Sequence, residues 1–157
     1  RLYARENGRI PEALTGRGRG SWHALIIPYT DGPGTGWKNR SRIWRCPAAP
    51  ADGYSYGLNN LLHHLYRGQI EAVPQPGNMV LLADSIHYQP GTYPHQPLFG
   101  GGAYSIRGRL EHSGGGTIDR ARHDDGANVL FVDGSVSWLP VGQLPVPEGV
   151  FWRGQEQ

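Results

Sequence analysis

The 157 residues include one cysteine, one methionine and three phenylalanines, and 15 basic side chains nearly balance 13 acidic ones. With Cys46 alone, neither an intrachain disulfide nor a multi-cysteine zinc site can form. A formal charge of +2 makes a field too weak to recruit nucleic acid, although arginine far outnumbers lysine, so no nucleic-acid partner is expected. No apolar run approaches the roughly 18 residues that cross a bilayer, and no signal-peptide pattern is present. The chain as written is therefore expected to be soluble, and its start on Arg1 to reflect trimming. No internal repeat is found. No serine is assigned to a nucleophile elbow, and neither a Gly-Lys-Ser/Thr phosphate loop nor a His-Glu-x-x-His helix is read, so no enzymatic activity is expected.

Glycine and proline are abundant instead, at 24 and 13 residues. That approaches the level of a disordered chain, but five Trp and eight Tyr argue for a loop-rich fold held by aromatic anchors. The length suits a single domain, residues 1–157. Residues 1–8 read as the tail of a helix, because good helix formers run into Asn7-Gly8, a left-handed stop, with Pro11 just beyond. Ala24-Leu25-Ile26-Ile27 fits either a short strand or a buried helical turn. Asn59 to Tyr66 reads as a short helix. Met79 to Ala83 is a continuous apolar run of strand length, expected to be buried on both faces and ended by Asp84.

The strongest local signal is Ala127 to Val132, then Asp133-Gly134, then Ser135 to Leu139. Two β-prone runs joined by Asp-Gly predict a hairpin over 127–139 with a two-residue type I′ turn, in which both turn residues take positive φ. Residues 140–157 read as an extended tail, with Val150, Phe151 and Trp152 docking back onto the body. An N-terminal helix packed on a small antiparallel sheet is an α+β fold.

In order, these pieces resemble a family of bacterial prepilin-type proteins named for a His-X9-Asp-Gly motif, here His123, nine residues, then Asp133-Gly134. The resemblance runs from Tyr3 to Leu139. It takes in Tyr3, Asn7, Gly8 and Pro11, the pair Cys46-Pro47, the segment Tyr54, Tyr56, Gly57 and Asn59, and the strand ending in Asp84. The family often has His after the Asp-Gly, where this chain has Ser135. The resemblance implies the head of a type IV pilin-like or pseudopilin subunit, made with a leader removed by prepilin peptidase. It also implies an inner-membrane anchor through a first helix that is missing here. The subunit would assemble with other pilin or pseudopilin subunits, its head in the periplasm or outside the cell. No cofactor is required.

Several residues invite chemistry on their own account. His123, Asp124, Asp125 and Asp133 carry metal-ligand atoms, but a strand rising about 3.3 Å per residue would hold His123 and Asp133 roughly 20 Å apart. Asp133 is then a turn residue and His123 a side chain that orients the hairpin. Asp124 and Asp125, helped by Asp119 and Asp84, could offer oxygens to calcium, without the ligand spacing of an EF-hand. His63 and His64, adjacent on a helix, point to different faces and make a poor metal pair. Cys46 has no identifiable His or Asn partner, so a packed thiol is expected. The alternative to a filament subunit is a glycan- or protein-binding module, using Trp37, Tyr88, Tyr93 and Tyr104 as stacking surfaces together with Trp22 and Tyr29.

Overall fold

Helix α1, Leu2–Asn7, stops where the sequence predicts: the Asn7 side-chain Nδ2 donates to the Tyr3 carbonyl at 2.9 Å and Gly8 takes φ +67°. The computed structural model describes residues 2–11, 22–31, 42–44, 46–48, 55–59, 61–87, 105–106, 116–119 and 122–144. Trp37, Tyr88, Tyr93 and Tyr104, and the tail beyond 144, lie outside the described residues.

The undecided segment is helical: α2 spans Trp22–Thr30, with Pro28 near its end. Trp22, His23 and Ile27 are buried on it, and apolar residues lie all round, so no amphipathic period marks it in the sequence. Helix α3, Leu61–Tyr66, follows strand β1, Tyr56–Asn59. The buried Asn59 joins the two, because its Oδ1 accepts from the Leu61 amide at 3.0 Å while its Nδ2 donates to the Val80 carbonyl at 2.9 Å.

The remaining strands are β2 (Val80–His87), β3 (Ser105–Ile106), β4 (Gly116–Ile118), β5 (Gly126–Phe131) and β6 (Val136–Pro140). The fold is α+β. Strand β2 is the hub, antiparallel to β1, β4 and β5, with β6 antiparallel on β5. The sheet is larger than the purely antiparallel one expected, because β3 pairs in parallel with β1 and β4.

The apolar run that opens β2 is covered on both faces. Met79 belongs to one cluster with Trp22, Ile27, Trp44, Leu58 and Leu62, against which Leu81 and Leu82 pack. Val80 and Ala83 belong to a second with Ile118, Ala127, Val129 and Leu144. The β2–β5 register shifts between Val80 and Leu82, and a bulge of this kind breaks strict alternation. Removing Leu62 or Met79, both 0% exposed, from water contributes about 1.5–3 kcal/mol each.

Three sequence expectations are corrected. Asp84 does not end its strand but sits inside β2, opposite Tyr56. The hairpin turn is a three-residue loop, since the Phe131 amide donates to the Ser135 carbonyl at 2.9 Å and the Gly134 amide to the Phe131 carbonyl at 3.0 Å. Gly134 takes φ +95° and Asp133 is not among the positive-φ residues; a type I turn closed by one left-handed residue follows the strand twist as well as a type I′ turn does. Nor does the chain run out extended after Pro140: Val141–Gln143 is a 3-10 turn, and Leu144 is buried.

Candidate functional site

Cys46, Ser55, Asp84 and the adjacent pair Arg122 and His123 come from four separate stretches of sequence and meet beside β2. Asp84 is 0% exposed, so its charge must be matched from within the protein. Its Oδ2 accepts the Asn128 amide of β5 at 2.8 Å, and Oδ1 faces the Arg122 guanidinium at 3.5 Å. Arg122, whose side chain is 3% exposed, also holds Asp119 at 2.8 Å and donates to the carbonyls of Ser55 at 2.8 Å and Ser85 at 2.9 Å. One guanidinium fork thus ties together the entry to β1, the middle of β2 and the end of β4.

His123 stands over this network with its side chain 25% exposed. Its Nε2 lies 3.3 Å from the Cys46 Sγ and 3.3 Å from Asp84 Oδ2, so the expected hairpin-orienting residue faces inward onto a thiol. The Trp138 indole donates to the His123 carbonyl at 2.8 Å and lies over Gly126. A Cβ at Gly126 would come within 2.5 Å of the indole and 2.6 Å of the Leu139 carbonyl. Cys46, 4% exposed, is set by its own amide, which donates to the Ser55 hydroxyl at 2.9 Å. The Tyr56 phenol next to the cluster is pushed above its ordinary pKa of 10, first by burial and then by negative charge at Cys46 and Asp84, against the opposing pull of Arg122.

The remaining candidates sit elsewhere. Asp133 caps the hairpin loop at the far end of β5 from His123, with Oδ1 accepting from the Ser135 amide at 2.8 Å and hydroxyl at 2.7 Å. Asp124 and Asp125 are exposed and left-handed, at φ 52° and 57°; aspartate tolerates that conformation better than most residues. With Asp119 turned to Arg122, the proposed calcium ligands do not gather. Among the described residues, the three metal-ligating side chains whose donor atoms lie within 4.8 Å of one another are Cys46, Asp84 and His123. Gly57 is buried in β1, and Pro47 is exposed beside Cys46. His63 lies apart from this cluster and its Nε2 donates to the Pro11 carbonyl at 2.9 Å.

Of the rings considered for ligand stacking, Trp22 is buried and packs on His23 and Trp44 at centroid distances of 3.8 and 5.7 Å. Tyr29 donates to Glu6 at 2.6 Å, which raises its pKa. Comparison with protein-family models, curated proteins and solved structures returns no match.

Sequence reasoning missed Arg122, Ser55 and the partner of Cys46. Ser55 is the centre of Gly53-Tyr54-Ser55-Tyr56-Gly57, which has the spacing of a nucleophile elbow. An elbow serine stands exposed on a strand-to-helix turn. Ser55 instead leads into β1, 1% exposed, with its hydroxyl held by Cys46.

Proposed function

We propose that this chain is the head of a type IV pilin-like subunit, a structural component of a pilus or secretion pseudopilus, anchored in the bacterial inner membrane before assembly and displayed from the cell envelope. The supporting observation is the convergence of motif positions. Cys46, Tyr56 and Asp84 occupy adjoining positions, and His123, which opens the His-X9-Asp-Gly motif, reaches the same cluster. Asp133 and Gly134, which close that motif, build the hairpin loop. Motif residues that form one interior framework are those a structural head needs.

The contacts around His123 do not support an acyl-transfer enzyme. A nucleophilic triad uses both ring nitrogens, one toward the nucleophile and the other toward the carboxylate. Here Sγ and Oδ2 both face Nε2. On the filament reading, α1 continues an apolar helix that packs against other subunits. It carries no buried residue within the head, and Leu2 is 58% exposed. The test is genetic: in cells lacking prepilin peptidase the protein should accumulate as a longer precursor in the inner membrane, and identical maturation with and without the peptidase would refute the assignment.

A further inference from the structure

We propose that Cys46, Asp84 and His123 bind a zinc-class divalent cation that ties three distant segments of the head together. The inference stands on side-chain geometry and does not depend on the filament reading.

Nε2 of His123 faces two groups at once, at 3.3 Å each. A neutral imidazole nitrogen carries one hydrogen or one lone pair, so Nε2 can bond only one of the two groups. The separation from Asp84 Oδ2 also exceeds the usual range for an N–H···O bond, while that from the larger Sγ is within hydrogen-bond reach. Both distances together match another arrangement. Zinc bonds of about 2.0–2.1 Å to nitrogen or oxygen and about 2.3 Å to sulfur, at tetrahedral angles, put neighbouring ligand atoms roughly 3.3–3.6 Å apart. The third pair, Sγ and the Asp84 carboxylate, also falls within 4.8 Å.

The surroundings fit a held ligand set. Metal-binding side chains are commonly oriented by hydrogen bonds behind them. Asp84 Oδ2 takes one such bond from Asn128, and its Oδ1 is turned to Arg122. Cys46 is fixed through Ser55, and the His123 main chain through Trp138. The partly exposed edge of His123 leaves an approach for the ion and for a solvent molecule as fourth ligand. One thiolate, one imidazole and one carboxylate suit zinc and its neighbours; calcium prefers six to eight oxygens.

The test is titration of the metal-stripped 157-residue chain with Co2+ and Zn2+. Binding of one equivalent of Co2+ with thiolate-to-metal charge-transfer absorption is expected, together with a melting temperature that rises with Zn2+. Cys46→Ser should abolish the charge-transfer absorption and, like His123→Gln, weaken zinc binding at least tenfold, while the Asp124→Asn/Asp125→Asn double variant should bind as the parent does. Absence of thiolate absorption in the unsubstituted chain would overturn the site even if neither site variant folded. So would zinc binding unchanged by Cys46→Ser, or lost in the double variant.

Discussion

The Nε2 of His123 lies 3.3 Å from the Sγ of Cys46, a residue 77 positions earlier in the chain. Strand β2 lies beside the pair, with Asp84 in reach of the histidine and Arg122 closing the other side of the carboxylate. Segments far apart in the chain are therefore held together by polar contacts beside the apolar clusters, and the consequences can be measured.

Arg122→Ala should be the most destabilising single change in this network. It leaves Asp84 and Asp119 buried without their cation and strips donors from two carbonyls. Breaking a buried pair from one side costs about 3–5 kcal/mol, readable as a fall in the urea midpoint. Arg122→Lys should recover only part of this, because an ammonium cannot reproduce the fork. Equal stability of Arg122→Ala and the parent would show the network to be dispensable.

Gly126→Ala should displace Trp138. The added methyl meets both the indole and the Leu139 carbonyl, so β5 and β6 must separate or the ring must leave His123. Overpacking of this kind costs about 1–3 kcal/mol, and a shifted tryptophan emission spectrum would accompany the loss. Unaltered emission and melting would contradict the packing described.

Gly134→Val should destabilise the hairpin by about 1 kcal/mol or more, because φ of +95° penalises a β-branched residue. Gly134→Asn should be milder. Thermal denaturation separates the two, and equal melting of the valine variant and the parent would rule out the left-handed assignment.

Alkaline stability should respond to Tyr56. Its folded pKa is raised above 10, so the folded state keeps a proton that the unfolded chain releases. Tyr56 thus contributes fully below pH 10, and stability is lost as pH climbs through the raised folded pKa. Replacing Tyr56 with Phe should flatten that part of the stability–pH curve, and an unchanged slope would be the contrary result.

The parts of this fold that were legible in the sequence are local. Asp133-Gly134 between two β-prone runs marks a hairpin, and Asn7-Gly8 marks a helix end, because the backbone conformation needed there restricts the residue. The hairpin's loop length was misread because Asp-Gly suits both two- and three-residue turns, and only pairing across the strands decides. Helix α2 was ambiguous because Trp22, His23 and Ile27 are buried within an apolar stretch, which hides the helical period. Asp84 was read as a strand terminator because a buried aspartate is costly without partners; Arg122 and the Asn128 amide supply them from 38 and 44 residues away. Contacts at that separation leave no periodic trace.

The most direct test of the filament account is mass spectrometry of the N-terminus of the natural, full-length protein from cell-envelope and culture-supernatant fractions. The account predicts a processed, N-methylated start followed by an apolar stretch of about 20 residues leading into Leu2. Ordinary secretory cleavage, with no apolar helix before the head, would contradict it and favour a secreted binding module.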